Sequence, residues 1–150
     1  MKIKTDKTYG DFADSAMRTW IQIFRAFNKI RAKETLYIQS FGLTINQFQV
    51  LEVLYHRGDL NVGAITKLTM STPGNITVVI KNLKRDGYIV SIPDEHDKRA
   101  SILSITPKGK EVIEQLFPGH AKNFESYFKM FDENEMETLY TLARKLHKSQ

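Results

Sequence analysis

Two segments of this chain concentrate the side-chain types that bind nucleic acids. Amide groups pair with adenine edges, an aliphatic group packs on a thymine methyl, and cations neutralise phosphates or reach guanine. The first segment offers all of these groups, with a glycine that lets the backbone approach a groove: Ser71, Thr72, Gly74, Asn75, Thr77, Val78, Lys81, Asn82 and Arg85. The second segment offers a short charged run: Asp97, Lys98 and Arg99. The residue types predict that both segments contact double-stranded DNA.

The charged run is expected at the tip of a β-hairpin. Two β-type runs, 88–92 and 101–105, flank a polar connector that is too long for a tight turn. An arginine at such a tip fits a narrow, electronegative minor groove, so Arg99 is the foremost candidate for a contact there. Asp97 is interpreted as the partner that orients Arg99, and Lys98 as a contact to a backbone phosphate.

The first segment lies on a predicted amphipathic helix that enters this hairpin. The helix begins at Thr72, with Pro73 in its first turn, and stops at Gly87. Its buried face is predicted from four apolar residues at helical spacing: Ile76, Val79, Ile80 and Leu83. A short helix over 62–68, capped by Asn61, precedes it across a three-residue turn, which is helix-turn-helix spacing. The amino terminus of the helix that begins at Thr72, together with Ser71 and Thr72, also suits the binding of a phosphate.

Long helices are predicted on both sides of this unit. The first covers 11–39 and carries a heptad-like apolar stripe: Ala16, Trp20, Ile23, Phe27 and Ile30. The second begins after Thr44 as its cap and ends at Gly58. Beyond the hairpin, a helix capped by Thr106 is predicted to break or kink at 118–119 and to resume through Phe131, and a last helix follows Asp132. We expect the outer helices to form a homodimer interface; an ordinary intramolecular bundle is the alternative.

These residues resemble the MarR family of bacterial transcriptional regulators. The resemblance is carried by Leu43-Thr44, Gln47-Phe48, Ser71 to Asn75, Leu83, Gly87-Tyr88-Ile89, Asp94, Asp97 to Ala100 and Ile105 to Gly109. Two departures are mild: Lys98 stands where arginine is frequent, and Ile105 where leucine is frequent. The resemblance implies a mainly α fold with a small β-hairpin wing (α+β). It further implies one domain over 1–150, with a winged helix-turn-helix at about 44–106 and dimerisation helices at about 9–40 and 107–148.

A small-molecule site is expected where the dimerisation helices meet the reading unit, as the resemblance implies. The candidate lining is mostly aromatic, with one cation for an anionic group: Trp20, Phe24, Arg25, Phe27, Phe48, Leu51, Tyr55 and His56. A cleft of this composition suits a phenolic, quinone-like or aromatic carboxylate ligand. The alternative for each of these aromatic residues is a place in the core.

Composition narrows the classes of function. The 150 residues carry a net charge of +5, and residues 66–110 hold eight Lys or Arg against four Asp or Glu, so the predicted reading unit is basic. The chain has no cysteine, which excludes disulfides and cysteine-based redox sensing. No apolar run is long enough to span a membrane and no signal-peptide core follows the first residues, so we expect a cytoplasmic protein.

Catalysis and resident cofactors are not expected. The four histidines, His56, His96, His120 and His147, do not stand at metal-ligand spacing, and the sequence has no phosphate loop or nucleophile motif. The prediction is therefore a homodimeric regulator, most simply a repressor, that binds a palindromic operator and responds to a small aromatic ligand. A winged-helix protein-interaction module without DNA binding and a metal-responsive regulator are the alternatives.

Overall fold

The computed structural model describes residues 6–150. Six helices and three strands follow one another in this order: α1 Asp11–Gln39, α2 Ile45–Arg57, β1 Leu60–Asn61, α3 Val62–Thr69, α4 Pro73–Arg85, β2 Ile89–Pro93, β3 Ser101–Ile105, α5 Pro107–Phe128 and α6 Glu133–Lys148. The predicted mainly helical fold with a small wing is confirmed. Within the described residues, no helix is both long and apolar enough to cross a membrane.

Five of the six helices begin at a side chain that caps them. In each case, a side-chain oxygen of the cap accepts a hydrogen bond from the backbone N–H three residues further on. The caps are Thr44, Asn61, Thr72, Thr106 and Asp132. Each bond satisfies one of the amide groups that the first turn leaves without a partner, and such a cap is typically worth ~1 kcal/mol. The helix starts predicted from these residues are confirmed.

The strands form one antiparallel sheet in the order β1-β3-β2. In the hairpin, Ile89 pairs with Ile105 and Ile92 with Ile102. Strand β2 covers Ile89–Pro93 and therefore begins one residue later than the predicted run over 88–92. Strand β1 was not predicted, because two residues show no alternation; it pairs Leu60 with Leu103. The third strand ties the wing to the segment that precedes α3.

The core lies between α2, α4, the sheet and the first half of α5. The four residues predicted to form the inner face of α4, Ile76, Val79, Ile80 and Leu83, are all buried. Others come from α1, α2, α3, both hairpin strands, α5 and the turn before α2: Ile38, Leu43, Phe48, Val50, Leu51, Leu54, Ile65, Ile89, Leu103, Ile113 and Leu116. Since the inner face of α4 is committed to this core, its opposite face is held towards solvent.

A buried carboxylate joins α1 to α5. Glu34 is 3% exposed, and its two oxygens accept hydrogen bonds from His120 at 2.7 Å and from the hydroxyl of Tyr127 at 2.6 Å. Nearby, the hydroxyl of Tyr37 donates to the backbone carbonyl of Leu116 at 2.8 Å. No described side-chain polar atom is buried without a partner, so this junction carries no unpaired group.

Helix α5 runs without interruption through Pro118, so of the break or kink predicted there, the break is wrong. The imino nitrogen of Pro118 removes only one helical donor, while contacts on both sides hold the helix in place. Ile113 and Leu116 are buried before it, and His120 binds Glu34 after it. The helix ends at Phe128 rather than continuing to Phe131.

The junction predicts a loss of stability at high pH. Burial, together with the hydrogen bond to Glu34, raises the pKa of Tyr127 to about 12, whereas an unfolded tyrosine titrates near pH 10. The folded state therefore favours the neutral phenol. Its stabilising effect is complete below about pH 10 and is lost as the pH rises towards about 12.

Replacement of Tyr127 by phenylalanine tests this expectation. Chemical denaturation at a series of pH values should show that the wild type is more stable than Tyr127→Phe below pH 10 and that the difference shrinks towards pH 12. Tyr9→Phe is the matched control, because Tyr9 is 74% exposed. A difference that stays constant across this range contradicts the role given to the phenol.

Candidate nucleic-acid interface

The outer face of α4 presents most of the predicted contact residues to solvent. Thr72, Gly74, Asn75, Thr77, Val78, Lys81 and Arg85 are exposed, whereas Ser71 and Asn82 are half-buried. Val78 is 58% exposed although it is aliphatic. The helix therefore carries an apolar position in the middle of an otherwise polar face.

Several of these groups are already hydrogen-bonded within the chain. The side chain of Thr72 caps α4, and the hydroxyl of Thr77 donates to the carbonyl of Pro73 at 2.8 Å. The hydroxyl groups of Ser71 and Thr69 lie 2.9 Å apart and share a hydrogen bond. Within residues 6–150, the side chains of Asn75 and Lys81 have no such partner, so both are available to a ligand.

Arg85 is held at the carboxyl end of α4. Its Nε donates to one oxygen of Asp86 at 3.1 Å, its Nη2 to the other at 3.3 Å, and its Nη1 to the amide oxygen of Asn82 at 3.3 Å. The hydrogen bond with Asp86 raises the pKa of the Arg85 guanidinium and lowers the pKa of the Asp86 carboxyl. Asp86 was not among the predicted site residues, although an acidic residue beside an arginine is a readable signal.

The wing tip is ordered by backbone contacts. The carboxylate of Asp97 accepts a hydrogen bond from the backbone N–H of Arg99 at 3.0 Å, and the N–H of Ala100 donates to the carbonyl of Asp97 at 3.0 Å. Within the described residues, no ion pair joins the Asp97 carboxylate to the Arg99 guanidinium, so the contact between these two residues runs through the backbone N–H of Arg99. Asp97 instead shapes the turn that carries Arg99. Lys98 and Arg99 are both exposed.

The base of the wing is fastened to the end of α4. The hydroxyl of Thr106 donates to the carbonyl of Gly87 at 2.7 Å, and its backbone N–H donates to the carbonyl of Tyr88 at 3.0 Å. A Cβ atom on Gly109 would lie 2.4 Å from that same carbonyl, so only glycine allows this close approach. The direction of the wing relative to α4 is thus fixed at its root.

Lys108 adds a second fastening at the same place. Its ammonium donates to the backbone carbonyl of Asp86 at 2.6 Å and lies 4.6 Å from the centre of the Tyr88 ring. A cation at the end of a helix also interacts favourably with the helix dipole. Lys108 belongs to the segment from Ile105 to Gly109 that carries the family resemblance. Its contacts with the end of α4 were not predicted from the sequence.

The predicted small-molecule residues fall into two groups. Trp20, Phe24, Arg25 and Phe27 lie on the exposed part of α1, whereas Phe48 and Leu51 are buried in the core. Tyr55 and His56 lie at the end of α2, where the His56 ring is 4.6 Å from that of Phe117. No described contact brings the α1 group together with the α2 group in one chain.

Metal binding finds no support in the described residues. No group of three or more histidine, cysteine or acidic side chains within residues 6–150 is placed to hold a metal ion. His120 is engaged with Glu34, and the ring of His56 is bonded through Nδ1 to the carbonyl of Glu52 at 2.8 Å.

Comparison with known proteins identifies the fold and the family. A family model described as MarR family matches residues 41–100. The YkoM transcriptional regulator of Bacillus subtilis, of helix-turn-helix type, is 30% identical over 132 residues, which cover 88% of this chain and 86% of YkoM. This chain belongs to the MarR family. It is a DNA-binding transcriptional regulator.

Two solved structures of regulators have the same architecture. BpsR of Bordetella bronchiseptica, studied for the regulation of its DNA binding by 6-hydroxynicotinic acid, is 25% identical, with a TM-score of 0.77 and coverage of 87% of this chain and 98% of that one. An Escherichia coli MarR mutant bound to operator DNA has a TM-score of 0.80 at 20% identity, with coverage of 91% and 99%. The second likeness shows the fold alone.

Replacement of Gly74 in this MarR-family chain should change the stability of the fold and the affinity for DNA in opposite directions. Apart from its chain neighbours and its own helix backbone, no described atom lies within 4 Å of the position that a Cβ would take, so Gly74→Ala fits the fold and should stabilise the protein by about 0.4–1 kcal/mol. The added methyl stands on the outer face, so we expect binding to duplex DNA to weaken.

Thermal unfolding and fluorescence anisotropy with a labelled duplex measure the two effects separately. Gly63→Ala is the control, because Gly63 lies in the first turn of α3 and its added Cβ would meet Asn61 at an ordinary 3.5 Å. The control should gain stability without losing affinity. Unchanged DNA binding by Gly74→Ala contradicts a close approach of the α4 backbone.

Proposed function

We propose that this MarR-family regulator is a cytoplasmic homodimeric repressor that binds a palindromic operator through α4 and the wing. In this proposal, residues 44–106 are the DNA-binding part, and residues 9–40 and 107–148 supply the dimer helices. The observation that carries it is the exposed reading face of α4 beside a wing whose tip presents Lys98 and Arg99. All of the predicted residues remain in the proposal except Arg85, which is held by Asp86, and Asp97 acts through the turn that it shapes.

The exposed apolar surface supports the homodimer. On α1, Trp20, Phe24 and Phe27 are all more than half exposed, and α6 has no buried residue although one of its faces is apolar. Exposed apolar faces of this extent mark association sites. A second copy of the chain offers the same two helices, so a two-fold interface covers both faces at once.

The exposed surface of α1 also supports the proposal that the effector is an aromatic molecule. Trp20, Phe24 and Phe27 offer ring faces, and Arg25 beside them offers a cation for a carboxylate or phenolate. BpsR, whose DNA binding is regulated by 6-hydroxynicotinic acid, supports a hydroxylated aromatic acid as the class of ligand. Binding of the ligand between the dimer helices and the DNA-binding part favours a spacing of the two α4 helices that does not match the operator.

Selection of duplexes from a random library tests the function. The proposal expects a palindrome with half-sites roughly 10 base pairs apart, and affinity that falls steeply as salt is raised, because counterions are released from the phosphates. Light scattering should give the mass of two chains. Asymmetric selected sites, a monomer at micromolar concentration or salt-independent binding would each count against it, and the last would favour a protein-docking module. Sensitivity to a chelator would favour a metal-responsive regulator.

The wing offers a sharper test. Arg99→Ala should weaken operator binding by about 1–3 kcal/mol without affecting dimerisation. Asp97→Ala should also weaken it, because the tip turn loses the hydrogen bond to the N–H of Arg99 and the ordering of the loop then costs entropy. Asp97→Asn keeps a side-chain oxygen that accepts this bond, so it should bind at least as tightly as the wild type.

Anisotropy titrations of the three variants at one salt concentration decide between turn geometry and charge. Tighter binding by Asp97→Ala would show that the carboxylate only repels phosphate. Weak binding by Asp97→Asn that equals that of Asp97→Ala would show that the negative charge itself is needed, and the proposed role of the backbone hydrogen bond would be wrong.

A further inference from the structure

The polar groups of α4 do not all remain free to bind DNA bases. The hydroxyl proton of Thr77 is committed to Pro73, and the guanidinium of Arg85 to Asp86 and Asn82. An arginine fork is the commonest reader of guanine, and this one is occupied by a carboxylate and an amide. To read a guanine, Arg85 would first have to leave both of these partners.

The position of Arg85 points in the same direction. It is the last residue of α4, twelve residues beyond Pro73, and therefore about 18 Å further along the axis. In helix-turn-helix proteins, the amino-terminal part of the recognition helix reaches the base edges. The end of α4 that carries Arg85 is thus the end further from the bases.

Asn75 and Val78 lie in the part of α4 that reaches the bases. They are three residues apart and so are neighbours on one face of the helix, roughly 5–6 Å apart between Cβ atoms. Both are exposed, and the Asn75 amide has no partner among the described residues. An amide donates to and accepts from one adenine edge, and a valine packs on the 5-methyl group of thymine.

We propose that Asn75 and Val78 form a reading pair for A·T base pairs, in which Asn75 bonds an adenine and Val78 packs on the methyl group of a thymine in a neighbouring base pair. This inference rests on the proposed binding of α4 in the major groove and adds what it selects there. Lys81, one turn beyond Val78, is a flexible, strongly hydrated cation and contacts phosphate.

Removal of the thymine methyl tests the pair directly. The duplex selected by the wild-type protein is resynthesised with each thymine replaced in turn by deoxyuridine, which pairs in the same way but lacks the 5-methyl group. When deoxyuridine replaces one particular thymine of each half-site, the affinity of the wild type for the duplex should fall about three- to tenfold. Val78→Ala should bind the unmodified duplex more weakly and show no further loss at that thymine.

An exposed valine outside α4 provides the matched control. Val90 lies on β2 and is 47% exposed; Val90→Ala should keep the full effect of the deoxyuridine. Repeating the selection with Asn75→Ala should lower the frequency of adenine at one position of each half-site and leave the rest of the palindrome in place.

The possible outcomes distinguish failure of this inference from failure of the proposed function on which it rests. Specific, salt-dependent binding with no sensitivity to any thymine methyl would overturn the reading pair and leave the proposed function standing. Equal deoxyuridine effects in the wild type and in Val78→Ala would also overturn it, as would a half-site dominated by a guanine that is lost in Lys81→Ala. Failure to select any duplex would count against the proposed function itself.

Discussion

A carboxylate buried between two helices has to be hydrogen-bonded or neutralised, and Glu34 meets this requirement through two side chains of α5. Removal of either partner leaves an oxygen without its hydrogen bond in a site that water hardly reaches. The ring of His120 also lies 4.9 Å from that of Phe48, so the same residue contacts α2. The carboxylate thereby sets the rotation of α1 about its own axis, and with it the face of α1 that stays uncovered.

This constraint explains why so much aromatic surface is exposed. Among the 29 residues of α1, Glu34 and Ile38 are the buried ones, and both lie in its last third. The preceding part of the helix has little to pack on among residues 6–150, and packing of an apolar face is what stabilises most helices in proteins. Helix α6 is in the same position, with none of its residues buried. In the proposed homodimer, the folding of both ends is coupled to assembly, and the stability of the protein depends on its concentration.

The sequence predicted best those features that depend on neighbouring residues. Caps such as Thr44 and Asn61 fix a helix start within one turn, and the spacing of Ile76, Val79 and Ile80 defines a face because the helical period is constant. Features that depend on distant contacts were missed. Strand β1 exists because Leu103 lies opposite it, and α5 crosses Pro118 because α1 supports both of its halves.

Within the candidate site, the same distinction holds. Exposure of Val78 and Asn75 follows from the period of α4, whereas the engagement of Arg85 by Asp86 depends on the local geometry at the helix end. Glu34 had a readable signal, since it continues the spacing of the apolar stripe on α1 four residues after Ile30. A charge on such a stripe indicates a buried partner, and only the fold shows that the partner is on α5.

The contact between Arg85 and Asp86 also bears on how regulators of this kind change their affinity for DNA. Loss of the Asp86 carboxylate releases the guanidinium, while Lys108 keeps its hold on the backbone carbonyl, which any residue provides at that position. One codon change then alters what the end of the recognition helix offers to DNA, and it leaves the core, the wing root and the dimer helices untouched. After gene duplication, two copies of this regulator have a short evolutionary path to different affinities for the same operators.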